Sequence, residues 1–128
     1  MAKQRSFDLA RFFQAMGDPT RLRLLYLMGE REICVCYFVE ILGEPQPKIS
    51  RHLAYLRRAG IVAARREGKW MHYRIAVPEH PGAARLLRQT LAALAREKQM
   101  QDDRARLERT CCEPGRLTVI AAPLPARA

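Results

Sequence analysis

No stretch of this sequence holds the roughly 18 consecutive apolar residues that a membrane-spanning helix needs. The opening MAKQRSFDLARFF has no hydrophobic signal segment either, so the chain is expected to be soluble and cytoplasmic, with no membrane partner. Acidic residues are scarce beside basic ones: 13 Asp and Glu stand against 23 Lys and Arg, a formal charge of +10. That balance argues for a polyanionic partner, nucleic acid ahead of a membrane surface. Glycine-rich phosphate loops are absent, and no spacing suggests a serine, histidine and carboxylate grouping. Cysteine occurs four times, as Cys34-Val35-Cys36 and as adjacent Cys111-Cys112. The residues six positions beyond them are Glu40, Leu42, Leu117 and Thr118, so the cysteine, five residues and arginine of a thiol-based phosphatase loop are missing. The chain is not expected to be an enzyme. Without an export signal, the thiols are expected to stay reduced, serving ligands or redox chemistry rather than disulfides.

What is present fits one compact domain in 128 residues. Ser6 to Met16 spaces Leu9, Phe12, Phe13 and Met16 as a helix, and Gly17-Asp18-Pro19-Thr20 interrupts it. Asp18 reads as an N-cap with proline at the first helical position, opening a strongly apolar helix that Gly29 stops. After a polar break, Cys34 to Leu42 reads as a short third helix ending at Gly43. Pro45-Gln46-Pro47 then forces an extended turn into a fourth helix, Lys48 to Ala59, with Ile49, Leu53 and Leu56 on its apolar side. Two short helices around a proline-bearing turn suggest a helix-turn-helix. Ile61 to Arg66 and Trp70 to Ile75 flank Glu67-Gly68-Lys69 as a β-hairpin. Ala83 to about Arg109 reads as one long helix whose first half could pair subunits. The expected fold is mainly α with a hairpin wing. Residues 1–110 would form the DNA-binding and dimerisation domain, and 111–128 a flexible tail beginning with the cysteine pair.

The fourth helix carries Lys48, Ser50, Arg51, His52, Tyr55, Arg57 and Arg58 on the side away from its apolar residues, a basic face able to enter a major groove. Arg51 could reach guanine edges, Ser50 and Gln46 offer shorter polar contacts, and Lys48 and Arg58 suit phosphates. Arg65, Arg66 and Lys69 crowd the hairpin tip, where they would meet flanking backbone or minor groove. Gln46-Pro47-Lys48-Ile49-Ser50-Arg51-His52-Leu53, followed by Gly68-Lys69-Trp70-Met71-His72-Tyr73-Arg74-Ile75, resembles the ArsR/SmtB family of metal-responsive repressors over roughly residues 8 to 76. The resemblance implies a winged helix-turn-helix homodimer on operator DNA, paired through its first and last helices, with the fourth helix reading the groove and the hairpin as wing.

Glu32-Ile33-Cys34-Val35-Cys36 is similar to the arsenic-responsive subgroup, whose pattern continues with a third cysteine at the position that Val39 holds here. The subgroup binds As(III) through three thiolates, which implies an arsenic-released repressor whose third donor comes from elsewhere. Cys111 and Cys112 are the remaining thiols. Either one of them joins Cys34 and Cys36, with Sb(III) a further inducer, or the two pairs form separate sites. Side chains two apart on a regular helix diverge, so ion binding is expected to strain or unwind the start of the third helix. Zn(II) or Cd(II) sensing, which wants four nitrogen or sulfur donors, and a thiol-redox switch are the alternatives. His52, His72 and His80 read as DNA contacts, packed rings or solvated side chains rather than as ligands.

Overall fold

The computed structural model describes residues 7–111 and 120–121. Helix α1 (Leu9–Met16) starts where the Asp8 carboxylate accepts from the Arg11 amide at 3.0 Å, and α2 (Pro19–Met28) where Asp18 accepts from the amides of Thr20 and Arg21 at 2.8 and 3.1 Å. A strand, β1 (Arg31–Cys34), leads directly into α3 (Val35–Leu42). Gly43, at φ +69°, ends α3 in the left-handed conformation, and Pro45 precedes α4 (Gln46–Arg58). The wing is β2 (Val62–Glu67) and β3 (Trp70–Ile75), in antiparallel register from Val62 opposite Ile75 to Glu67 opposite Trp70. Its loop is therefore the two residues Gly68 and Lys69, and Gly68 at φ +62° takes the position where a hairpin turn wants glycine. Helices α5 (Pro81–Leu94) and α6 (Lys98–Cys111) follow, and β4 (Ile120–Ala121) completes a sheet of order β2-β3-β1-β4.

One core serves α1 to α6 and β1 to β3. Phe12, Leu24, Leu25, Met28, Ile33, Phe38, Ile41, Ile49, Leu53, Leu56 and Ile61 are fully or almost fully excluded from solvent and pack together. At about 25 cal/mol per Å² of buried apolar surface, such a cluster is the main driving force for folding and fixes how α4 sits on α2 and α3.

Three expectations change. The polar break before the third helix is strand β1, and Cys34 closes that strand instead of opening the helix. Hydrogen bonding on both edges lets three of its four residues be buried despite the charges of Arg31 and Glu32. The single long helix is two. Past Leu94 the chain tightens, with Arg96 and Glu97 amides donating to the carbonyls of Ala93 and Leu94, and α6 turns back across α2 and α3. Leu107 and Met100 are buried on that return, and the Arg106 guanidinium donates to the Ile41 carbonyl. The third change concerns the tail: Cys111 belongs to α6, and Ile120–Ala121 pairs with Arg31 and Glu32. Cys112 and the other tail positions lie outside the described residues.

Candidate nucleic-acid interface and thiol pair

Helix α4 turns Ile49, Leu53 and Leu56 into the core and leaves Gln46, Arg51, Arg57 and Arg58 exposed, with Lys48 and Ser50 half-buried at the margin. Lys48 Nζ lies 3.1 Å from Glu44 Oε1, an exposed pair that holds it only weakly. At the wing tip Arg66 and Lys69 are exposed beside Trp70, and Arg66 Nη1 donates to the Gly68 carbonyl at 3.3 Å. These cations, spread over one helix face and one hairpin tip, suit a groove and its flanking phosphates.

Three of the residues expected to contact DNA are engaged within the protein. His52 leans on α2, its Nδ1 3.2 Å from Arg21 Nη1 and 4.0 Å from Asp18 Oδ1. A guanidinium only donates, so in this contact His52 Nδ1 is the acceptor, the role of a neutral ring. Burial lowers its pKa, and the nearby charges of Arg21, Lys48 and Arg51 add to that against the pull of Asp18. Burial alone would raise the Asp18 pKa. The amides of Arg21 and Thr20, with the Arg21 charge and the charge that His52 carries once protonated in acid, outweigh it and hold the carboxyl below its ordinary value. Tyr55 stacks under Arg21, whose Cζ is 4.2 Å from the ring centroid, with Arg58 on it at 5.8 Å. Arg21 ties the corner together by also donating from Nε to the Ala15 carbonyl and from Nη2 to that of Gln14. Arg65, the third, stays partly exposed but is paired with a carboxylate of β1. Its Nη2 and Nε donate to Glu32 Oε1 and Oε2 at 2.6 and 3.0 Å. Arg21 and Glu32 were the positions sequence reasoning left out, since each gains its role only from partners distant in the chain.

Cys34 is completely buried at the end of β1, while Cys36 is half-buried in the first turn of α3. Their sulfur atoms are 3.3 Å apart. Cys34 has extended backbone angles, φ −70° and ψ 144°, so its thiol turns to meet that of Cys36 without any helix distortion. The expected unwinding of α3 is not required to bring the two sulfurs together. Two soft thiols at this separation suit a thiophilic ion. Among the described residues no three His, Cys, Asp or Glu side chains converge to hold a metal, so a three-donor site needs a ligand beyond them. His72 lies opposite Cys34 in the β1–β3 register with its Nε2 3.2 Å from Glu67, and His80 caps α5 by accepting from the Ala83 amide. The Cys111 side chain and the whole of Cys112 lie outside the described residues.

A sequence profile described as bacterial regulatory protein, arsR family, matches residues 18–64, the span from the α2 cap to the middle of the wing. An uncharacterised helix-turn-helix transcriptional regulator of Methanocaldococcus jannaschii is 52% identical over 67 residues, covering 52% of this chain and 75% of that one. This chain belongs to the ArsR family. Its fold is the winged helix-turn-helix of that family, whose members are DNA-binding transcriptional regulators rather than enzymes. The arsenical resistance operon repressor of Escherichia coli is 43% identical over 76 residues, 59% of this chain and 65% of that one. A probable mercury resistance operon repressor of Streptomyces lividans is 49% identical over 71 residues, 54% and 55% of the two chains. The chain thus spans less than two thirds of both resistance repressors. Among solved structures, the homodimeric winged helix-turn-helix DNA-binding domain of Mycobacterium bovis superposes with a TM-score of 0.57 at 29% identity, covering 77% of this chain and 94% of that domain. No helix among the described residues is long and apolar enough to cross a membrane.

Proposed function

We propose that this protein is an As(III)-responsive transcriptional repressor that binds operator DNA as a homodimer and lets go when arsenite binds Cys34, Cys36 and one cysteine of the Cys111-Cys112 pair. The observation that carries the reading is the 3.3 Å approach of the Cys34 and Cys36 sulfurs at the junction of β1 and α3. The course of the chain supports the third ligand. Helix α6 returns along α3, Glu108 of its last turns reaches Arg31 of β1 at 3.9 Å, and Ile120 pairs with Glu32. The segment that bears Cys111 and Cys112 is thus bounded at both ends by contacts with β1.

Exposed Leu9 and Phe13 on α1 and Leu86 on α5 supply apolar surface for the dimer, which the homodimeric M. bovis domain also favours. A dimer sums two charges of +10, and attraction to the DNA backbone follows from that field. Release comes from differential stability. Strand β1 is paired to wing strand β3, and α3 is packed on α4, so an ion that reshapes the β1–α3 junction favours poses of wing and reading helix that fit DNA less well. Antimonite, with the same thiophilic chemistry, acts alike.

Titrating a fluorescent duplex complex with arsenite, antimonite, zinc, cadmium and peroxide tests this. Arsenite and antimonite should dissociate it, and Cys34→Ser Cys36→Ser should abolish the response. Release by zinc or cadmium alone would turn the reading toward a divalent-metal sensor, and release by peroxide alone toward a redox switch. An unchanged arsenite response in the double variant would remove this pair from the site.

A further inference from the structure

Only the base of the wing is packed into the body of the protein: Val62, Tyr73 and Ile75 are buried in the core, whereas residues 65–70 are exposed. β2 and β3 pair over six positions, but β1 backs β3 at only two of them, Ile33 opposite Tyr73 and Cys34 opposite His72. The rest of the hairpin, with Arg66, Lys69 and Trp70, projects past the end of β1. A lone two-stranded hairpin is only marginally ordered in water, so its pose must be set by whatever holds its base.

Beyond the core contacts of Val62, Tyr73 and Ile75, the pair of Arg65 and Glu32 ties the hairpin to β1. Arg65 lies on β2 and Glu32 on β1, with β3 between them. Two inter-strand spacings amount to about 9.6 Å, and Glu32 lies two residues along β1 from Cys34, which shares the row of Arg65, so the guanidinium and the carboxylate span a diagonal of about 12 Å by leaning toward each other across β3. The guanidinium makes three contacts of 2.6 to 3.2 Å with both Glu32 oxygens. The Glu32 side chain is only 8% exposed and that of Arg65 43%, so the fork is a charge-assisted pair with its carboxylate buried and its guanidinium partly solvated. Beneath it, Arg65, His72 and Cys34 occupy one row across three strands, and Glu67 closes the group with His72 at 3.2 Å and Arg65 at 3.6 Å.

We propose that Glu32 and Arg65 are positioning residues for DNA binding: together they strap the wing to β1, so that the strand bearing Cys34 decides where Arg66 and Lys69 lie. Arg65 is then an internal tie and not a phosphate contact. The strap also gives the thiol pair a second route to the DNA, one strand wide, beside the route through α3 and α4. This inference rests on the wing contacting DNA and is independent of which ligand the thiols take.

The two roles for Arg65 predict opposite signs. If Arg65 touched phosphate, removing the Glu32 charge would free it and tighten binding. If the pair is a strap, removing Glu32 loosens the wing and weakens binding, although a favourable positive charge has been released. The experiment measures affinity and its salt dependence for a duplex of about 30 base pairs, long enough for two half-sites and obtained by in vitro selection on the wild-type protein. The variants are Glu32→Gln, Arg65→Gln, their combination, and Arg65→Lys, which keeps the charge but gives up the fork. Each single variant should bind about tenfold more weakly, and the double no more weakly than either single, as expected for two residues acting as one unit. The slope of log affinity against log salt should stay at the wild-type value in Arg65→Lys and Glu32→Gln, whereas loss of a phosphate contact from each protomer would reduce it by about 1.8 in Arg65→Gln. Tight binding by Glu32→Gln, or additive losses in the double variant, overturns the strap. Failure of the wild-type protein to select any duplex would overturn the DNA reading itself, a result distinct from either.

Discussion

Arg23 of α2 and Asp103 of α6 meet as a forked ion pair, Nε to Oδ2 at 2.7 Å and Nη2 to Oδ1 at 2.9 Å, with the Asp103 side chain only 1% exposed. Gln99 also donates to Oδ1 at 3.0 Å. This pair, with Leu107 and the Arg106 contact to α3, is what turns α6 back onto the domain.

Arg23→Met should therefore be costly, because it leaves a buried carboxylate with one amide donor. Breaking such a pair costs about 3 kcal/mol. Replacing both partners, as Arg23→Met Asp103→Leu, should recover most of the loss, since an apolar pair of similar volume has no desolvation penalty. Urea denaturation of the wild type and the two variants checks this. Equal losses in the single and the double variant would show that α6 is held mainly by its apolar contacts.

Acid should loosen the corner where His52 meets Arg21. The folded protein binds a proton at His52 less readily than the unfolded chain, whose histidines titrate near 6.5. The unfolded state then takes up the proton first as pH falls. The stability is fully present above about pH 6.5 and is lost as pH drops from there through the lower folded value. Melting temperatures from pH 8 to 5 should fall in the wild type and fall less in His52→Gln, whose amide oxygen can accept from Arg21 without titrating. Glu32 and Asp18, held below the ordinary carboxylate range, contribute losses only at lower pH, near and below 4. A wild-type profile parallel to that of His52→Gln would sink this assignment.

Gly43 should resist substitution for a backbone reason alone. A Cβ at this position would meet no atom within 4 Å, yet φ is +69°. Gly43→Ala should then cost about 1 kcal/mol from the left-handed conformation, without steric rearrangement. Gly43→Asn should cost less, as asparagine tolerates that region better. The turn also sets α4 relative to α3, so duplex affinity measured beside thermal melting will reveal any added change in the reading helix.

Much of this was legible in the residues. Asp18-Pro19, Gly43 and Gly68 are local signals, and the α4 periodicity of Ile49, Leu53 and Leu56 needs no tertiary information. Strand β1 was hidden because Arg-Glu-Ile-Cys has no pattern of its own; it becomes a strand through pairing with Tyr73 and His72, far along the chain. The break after α5 was hidden for a similar reason, since its cause lies in Arg23 and Ile41. Orientation was the other loss. A helix face can be read from spacing, but His52 and Tyr55 are engaged by Arg21 and the exposed Arg65 by Glu32, partners that no periodicity connects to them.

The thiol-bearing junction is confined to Glu32 through Cys36, five consecutive residues outside both the exposed face of α4 and the wing tip. If the proposed sensing site is right, its Cys34-Cys36 half and the DNA-contacting surface can therefore diverge separately. On the proposed reading, retuning a biosensor to another soft ion would mean rewriting Cys34 to Cys36 together with the Cys111-Cys112 pair, while residue 32 keeps its carboxylate and the promoter stays the same.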